Sequence, residues 1–211
     1  MRDYFSMVQA HPWHGISPGE ALPELVTAFI ELVPLDTVKY EIDKASGHLK
    51  LDRPHKYSSL CPTLYGFIPR TYCGNGVAKL AASKSGADLT GDGDPLDICV
   101  LTENPIPRGG ILVTARPVGG FRLLDQNEVD DKIIAVLIDD PVFGGCFQLN
   151  QIPEGLIDRL KHYFLTYKEI PECTPDFKRN IEISGVYEAH EAGLVITQAI
   201  TDYDSCFANL Q

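Results

Sequence analysis

The sequence has few basic residues and no long hydrophobic run, and both shortages exclude classes of function. Lysine and arginine number 18 against 29 aspartates and glutamates, which gives a formal net charge of −11 at pH 7. A chain this acidic repels nucleic-acid phosphates and anionic membrane surfaces as a whole. The longest unbroken apolar stretch, about Ile133–Ile138, is far shorter than the roughly 20 residues of a membrane-spanning helix. We therefore expect a soluble protein that binds neither nucleic acid nor membrane.

The cysteines form no recognisable metal-binding or redox motif. There are 6 of them, none pairs as Cys-x-x-Cys, and none has a histidine at zinc-finger spacing. Cys99 lies inside an apolar run, where a free thiol packs as a small hydrophobic group. The first residues also lack the apolar block of a secretory signal peptide. These features predict a reduced, cytoplasmic protein.

The chain is long enough to bury a core without disulfides or a structural metal, since it has 211 residues of which 44% are hydrophobic. No repeat, linker or change in composition divides it, so we expect a single domain over residues 1–211. Short β-rich segments separated by Pro, Gly and Asp clusters are typical of a closed or nearly closed β-barrel. The predicted strands are Leu25–Leu32, Val38–Ile42, Leu49–Asp52, Tyr65–Ile68, Ile98–Leu101, Ile111–Ala115, Gly120–Leu124 and Ile133–Ile138.

The pattern changes towards the C-terminus. Apolar residues recur at helical spacing in Glu154–Lys168 and again from Tyr187 to about Asn209, and Phe177–Ser184 alternates like a strand between them. Strands followed by helices indicate the α+β class. Gly74–Gly91 is rich in small residues and is predicted to be a loop.

One acidic cluster suggests chemistry. Asp92, Asp94 and Asp97 lie within six residues, just before an apolar strand. Carboxylates this close repel one another unless a cation neutralises them, and oxygen-only ligands suit hard cations such as Mg²⁺, Mn²⁺ or Ca²⁺. An EF-hand is excluded, because Leu96 and Asp97 stand where its loop needs a polar ligand and a glycine. Taken alone, the cluster is equally compatible with a polar turn.

Other charged residues complete a pattern without proving a site. Asp125–Asp131 is a second acidic segment, and Glu31 is embedded in an apolar run. Basic residues stand on strands or at the ends of elements, at Lys39, Arg53, Lys132 and Lys168. Together these residues suit a metal-bound phosphate compound, but their spacing does not show that they converge.

The chain resembles the soluble family I inorganic pyrophosphatases. The segment Asp92-Gly93-Asp94-Pro95-Leu96-Asp97 is similar to the signature of that family. Further matches follow the family's order along about two thirds of the chain: Glu31, Lys39–Lys44, Asp52–Pro54, Tyr65–Gly66, Arg116–Gly119, Asp125–Lys132 and Tyr167–Lys168. A short Asp motif is weak, whereas this many elements in one order form a specific match.

The resemblance implies an OB-like closed barrel with flanking C-terminal helices, and Mg²⁺-dependent hydrolysis of diphosphate by a metal-activated hydroxide. It implies several Mg²⁺ ions per subunit, with Mn²⁺ as an alternative, and assembly into a homo-oligomer. The implied metal ligands are Glu31, Asp92, Asp97, Asp125 and Asp130. Asp94 matches the acid that takes a proton from the nucleophilic water, and Glu41 matches a polar support. The residues that match phosphate-binding positions are Lys39, Arg53, Tyr65, Lys132, Tyr167 and Lys168.

Two alternatives remain at this point. Many family members carry a tyrosine where this chain has Cys61, which leaves open a catalytically inactive binder of divalent metal or polyphosphate. A nucleic-acid-binding barrel is disfavoured, because such a module needs a basic, aromatic-rich strand face. A turnover assay with Mg²⁺ distinguishes an enzyme from an inactive binder.

Overall fold

The structure, a computed structural model, describes residues 9–86, 88–168 and 180–208. Within these ranges it has a mixed α+β fold that is mostly β-sheet. The strands are β1 (Val26–Leu32), β2 (Val38–Ile42), β3 (Leu49–Pro54), β4 (Leu64–Phe67), β5 (Thr90–Gly91), β6 (Asp97–Leu101), β7 (Ile111–Asp125), β8 (Glu128–Val129), β9 (Lys132–Leu137) and β10 (Ile181–Glu188). The helices are α1 (Asn75–Ser85), α2 (Glu154–Thr166) and α3 (Ala189–Cys206).

The long strand β7 organises the main sheet. It pairs antiparallel with β1, β8, β9 and β10 along different parts of its length. β1 also pairs with β4, β4 pairs with β6, and β6 runs parallel to β9. β2 and β3 form a separate two-stranded sheet. This arrangement places the start of β6 beside the start of β9.

The helices cover different parts of the sheet. Buried residues of α3, including Val195 and Ile196, belong to a core cluster with Val26, Ile98 and Ile133 of the strands. Residues of α2 pack into a second core cluster with Cys99, Phe121 and Ile134 of the strands. The buried positions of each helix recur three or four residues apart, so each presents one apolar stripe to the sheet. None of the three described helices has the length and hydrophobicity needed to cross a membrane.

The predicted loop over Gly74–Gly91 is wrong, because this segment contains helix α1. Val77, Ala78 and Ala81 are buried, and they stabilise the helix by tertiary packing although its composition is rich in small residues. The carboxylate of Asp202 on α3 accepts hydrogen bonds from the backbone N–H groups of Gly76 and Val77, at 2.8 and 3.0 Å. Gly86 ends the helix with a φ of 71°.

The two strands predicted at Ile111–Ala115 and Gly120–Leu124 are one strand, β7. Pro117 lies inside it where the pairing with β9 shifts register, a position that tolerates proline. The last helix begins at Ala189 rather than Tyr187, because Tyr187 and Glu188 pair with β7. The predicted strand Phe177–Ser184 corresponds to β10, although residues 177–179, like Asn209, lie outside the described residues.

Candidate active site

One polar cavity of about 320 Å³ gathers most of the residues that the sequence singles out. Eleven of the twelve predicted site residues line it: Glu31, Lys39, Tyr65, Asp92, Asp94, Asp97, Asp125, Asp130, Lys132, Tyr167 and Lys168. Arg53 does not line this cavity. It lies on β3 opposite Lys39 in register, with its Nε 3.5 Å from Asp52 Oδ2.

The parallel pairing of β6 with β9 builds the centre of the cavity. Asp97 and Lys132 are register partners at the starts of these strands, and their side chains form an ion pair. The hydroxyl of Tyr65, on the neighbouring strand β4, donates a hydrogen bond of 2.5 Å to Asp97 Oδ2. The ammonium of Lys132 also bonds to Asp130. One lysine therefore joins acids from both clusters.

Lys132 is an almost fully buried charge, with 2% of its side chain exposed. Burial opposes the charged form, but Asp130 and Asp97 outweigh it and hold the pKa of Lys132 well above its ordinary value. The contact with Lys132 also changes the pKa of Asp130. Burial raises the pKa of Asp130, whereas Lys132 and Lys168 lower it by more, so the net shift is downward. The Lys132 ammonium thus keeps Asp130 ionised.

Three other acids of the cavity have raised pKa values, which favours their protonated forms. Burial raises the pKa of Asp97, and Lys132 opposes that shift only in part. Burial and the nearby Asp130 raise the pKa of Asp92. Burial raises the pKa of Glu31 to about 8, although its Oε1 accepts a 2.7 Å hydrogen bond from the Ile42 N–H. Carboxylates held in this way gain from a cation that replaces their protons.

The donor set fits a hard divalent cation in its chemistry. Eight carboxylates line the cavity, which has no sulfur or imidazole among its lining groups. Among the described residues, no three metal-ligating side chains already stand together as one coordination group. The Lys132 ammonium bonds instead to Asp97 and Asp130. A cation that these acids held would therefore compete with Lys132 for the same oxygens.

The far wall comes from the end of β7 and from the chain after α2. Lys168 Nζ lies 2.6 Å from Asp125 Oδ2, which joins the second acidic segment to the helix end. The ring of Tyr167 stacks on Tyr163, with centroids 4.9 Å apart. Lys39, Tyr167 and Lys168 thus line the cavity together with the acids.

Asp94 differs from its neighbours in the signature. Its side chain is about half exposed and forms an ion pair with Lys44. Its backbone N–H donates a 2.9 Å hydrogen bond to Asp92 Oδ1, so the loop turns Asp92 inward and leaves Asp94 at the mouth. Asp94 is therefore the signature carboxylate most open to water.

Sequence reasoning missed Lys44 and Glu128 as lining residues. Lys44 belongs to the matched segment Lys39–Lys44, and its position two residues after the end of β2 was the available signal. Glu128 lies in the second acidic segment, where nothing in the sequence distinguished it from the neighbouring acids. Glu41, expected as a polar support, lines the cavity and forms an ion pair with Lys39.

A cavity that combines clustered carboxylates with lysines and tyrosines defines a class of metal-assisted enzymes that act on phosphates. Comparison with known proteins identifies the family. The family model for inorganic pyrophosphatase matches residues 28–204. An inorganic pyrophosphatase of Chlamydia trachomatis is 49% identical over 200 residues, which cover 94% of this chain and 96% of the relative. The chain belongs to the inorganic pyrophosphatase family, which confirms the resemblance.

Two further relatives are more distant. The soluble inorganic pyrophosphatase 2 of Chlamydomonas reinhardtii is 32% identical over 200 residues, covering 95% of this chain and 92% of the relative. The crystal structure of the inorganic pyrophosphatase from Thermus thermophilus superposes with a TM-score of 0.75 at 28% identity, covering 92% of this chain and 99% of that one. The fold and the family assignment therefore agree.

Proposed function

We propose that the chain hydrolyses inorganic diphosphate to two phosphates by direct attack of a metal-activated hydroxide, without a covalent phospho-enzyme. The observation that carries this proposal is the convergence of eleven predicted site residues in one cavity. The named activity of the Chlamydia trachomatis relative agrees with it. The acids among these residues suit cations, and the lysines suit a small polyanion.

The proposed cofactor is Mg²⁺, several ions per subunit, with Mn²⁺ as an alternative. Its ligands are Glu31, Asp92, Asp97, Asp125 and Asp130, which all line the cavity. When bound, divalent cations lower the pKa of a coordinated water and offset the charge of the phosphates. The buried acids with raised pKa values favour this role, because a cation relieves their mutual repulsion.

The proposed phosphate-binding residues are Lys39, Arg53, Tyr65, Lys132, Tyr167 and Lys168. Five of them line the cavity, and Arg53 adjoins Lys39 across β2 and β3. Lys132 bonds to Asp97 and Asp130 in the protein alone. Once cations neutralise these two acids, the Lys132 ammonium is available to a phosphate oxygen, where it stabilises the charge that develops on the leaving group.

Asp94 is proposed to accept the proton of the attacking water. Its half-exposed position at the mouth of the cavity gives a carboxylate oxygen access both to a water and to bulk solvent. The ammonium of Lys44 forms an ion pair with Asp94 at the mouth of the cavity.

We further propose an OB-like closed barrel within a single domain over residues 1–211. The pairings of β1 with both β4 and β7, together with the path β4–β6–β9–β7, support this geometry. A cytoplasmic homo-oligomer is proposed from the family resemblance. The five described cysteines are free thiols, as a reduced compartment favours.

The test is phosphate release from diphosphate by the purified chain, with Mg²⁺ and with a chelator. Asp97→Asn, prepared in parallel, excludes a contaminating host enzyme. We expect release only with the metal, at a much lower rate in Asp97→Asn than in the unsubstituted chain at the same limiting Mg²⁺ concentration, and with no acid-stable or base-stable phosphoryl label on the protein. Binding of Mg²⁺ and diphosphate without release would instead favour the inactive binder, and a labelled residue on the turnover pathway would exclude direct attack.

A further inference from the structure

Two adjacent acids near the cavity lie in opposite environments. Asp130 lines the cavity and forms an ion pair with Lys132. The next residue, Asp131, is buried away from it and has 1% of its side chain exposed. Asp131 Oδ2 accepts a 3.1 Å hydrogen bond from the hydroxyl of Tyr187 and lies 3.7 Å from Nη2 of Arg122. The contacts of Asp131 with Tyr187 and Arg122 therefore anchor the chain between Asp130 and Lys132.

The two partners of Asp131 belong to separate strands, and one of them also contacts α3. Arg122 lies on β7 and Tyr187 on β10, and the guanidinium carbon is 5.4 Å from the centre of the Tyr187 ring. Arg122 Nη2 also donates a 3.0 Å hydrogen bond to Glu191 Oε1 on α3. Gly120 provides room for the phenol, since a Cβ there would lie 2.4 Å from the Tyr187 ring. The network therefore connects β7, β10 and α3 to the turn before β9.

Stability does not account for this network. Arg122 and Asp131 are both buried, and removing a charged pair from water costs about as much as the pair returns. Within the described part of the chain, Arg122 Nε and Asp131 Oδ1 have no hydrogen-bond partner. Apolar side chains surround the Tyr187 ring in the same core cluster and would fill this space without unpaired polar atoms. What the network does supply is a fixed position for Asp131.

We propose that Arg122 and Tyr187 are positioning residues for the metal site, acting through Asp131 on the Asp130–Lys132 segment. This inference rests on the proposed role of Asp130 as a metal ligand. Two peptide bonds join Asp130 to Lys132, so anchoring Asp131 limits how far either side chain moves when cations enter. Groups that orient a ligating carboxylate from outside its coordination sphere strongly affect metal affinity.

Tyr187→Phe tests the inference with the smallest change, because it removes only the hydroxyl that bonds to Asp131. Tyr203→Phe is the matched control: Tyr203 is a buried tyrosine on α3 whose hydroxyl lies 2.8 Å from His14 Nδ1, in a different cluster. We expect Tyr187→Phe to weaken Mg²⁺ binding by about tenfold in calorimetry without substrate, near the lower end of such effects. The Mg²⁺ concentration for half-maximal activity should rise in parallel, with kcat near the original value at saturating Mg²⁺.

A second experiment tests whether the effect of Tyr187 on Mg²⁺ affinity depends on Asp131. In an Asp131→Ala background, adding Tyr187→Phe should cause no further loss of Mg²⁺ affinity, whereas an independent effect would add to the first. A purely structural hydroxyl would lower the unfolding temperature of Tyr187→Phe and leave its Mg²⁺ affinity equal to that of Tyr203→Phe; that result overturns the inference. Absence of phosphate release by the unsubstituted chain would overturn the proposed function instead, while the calorimetric comparison still decides the positioning role.

Discussion

Asp97 and Lys132 face each other across the parallel strands β6 and β9, and their side chains form a partly buried ion pair. Lys132 bonds at the same time to Asp130, and Tyr65 donates its hydroxyl to Asp97. The Lys132 ammonium therefore neutralises part of the negative charge of the acidic centre. In the proposed reaction, cations would bind these acids, and the Lys132 ammonium would then be free to bind a phosphate oxygen.

Lys132→Met tests the importance of this ammonium. Methionine keeps much of the buried chain length but removes the charge that we expect to stabilise the leaving phosphate. We expect kcat/KM for diphosphate to fall by about 10²-fold or more. Lys161→Met is the control, since Lys161 lies on the exposed part of α2 and pairs with Asp158 at 3.3 Å. Initial rates at saturating Mg²⁺ measure both variants, and equal values for the two would contradict the assigned role.

The residue types of the site were predictable from sequence, because the chemistry requires acids for cations and bases for phosphates. Their convergence was predictable only through the family resemblance and not from their spacing. Lys132 meets Asp97 across 35 positions through the parallel pairing of β6 and β9, and Lys168 meets Asp125 across 43 positions where the chain leaves α2. Such contacts depend on which strands pair, and local hydrophobic patterns do not encode strand order.

The features that were missed depend on tertiary packing. Helix α1 contains Gly76 and is followed by Gly86, which together indicate a loop, yet burial of Val77 and Ala81 stabilises it. Arg122 stands between two apolar residues of a strand, where alternation predicts a side chain facing water. Arg122 can be buried because the carboxylates of Asp131 and Glu191 compensate its charge. A buried pair of opposite charges leaves no periodic signal in the sequence.

Glu31→Gln should stabilise the metal-free protein at high pH. Burial raises the pKa of Glu31 to about 8, against about 4.3 for a free glutamate. Between these values the unfolded chain has released a proton that the folded chain keeps, so folding stability falls as the pH rises through this window. Glutamine cannot ionise but keeps an oxygen to accept the Ile42 N–H, which lies 2.7 Å from Glu31 Oε1.

The measurement is thermal unfolding in a chelator from pH 5 to pH 8. The unfolding temperature of Glu31→Gln should exceed that of the unsubstituted chain most at pH 8, by about 2–4 °C for each kcal/mol gained, and the difference should shrink towards pH 5. Glu182→Gln, at an exposed glutamate of β10, should show no such trend. A difference that does not vary with pH would exclude titration of Glu31 as the cause.

Cys61→Ser should retain most of the activity. Cys61 is buried, and burial raises the pKa of its thiol to about 11, so the group stays neutral at physiological pH. It does not line the cavity, and its Sγ lies 4.0 Å from Thr63 Oγ1. A serine hydroxyl can use the same partner. Steady-state kinetics with circular dichroism of the folded variant test this, and a loss of about a hundredfold or more would indicate a direct role for the thiol.

Asp94→Asn and Asp97→Asn should separate proton transfer from metal binding. Both changes keep the size of the side chain and remove its charge and basicity. Asp97 lies at the buried centre, bonded to Lys132 and Tyr65, whereas Asp94 is half exposed at the mouth beside Lys44. Asp97→Asn should weaken Mg²⁺ binding, and high Mg²⁺ should recover part of the activity. Asp94→Asn should keep Mg²⁺ affinity near that of the unsubstituted chain.

The two variants should also differ in how their rates depend on Mg²⁺ concentration and on pH. Asp94→Asn should lower kcat by roughly 10²–10⁴-fold at every Mg²⁺ concentration, because the attacking water loses its proton acceptor. Its residual rate should rise at higher pH than in the unsubstituted chain, since the water must then ionise without help. Calorimetric titration with Mg²⁺, paired with kcat across pH, measures both effects. Rescue of Asp94→Asn by Mg²⁺, with no rescue of Asp97→Asn, would reverse the two assignments.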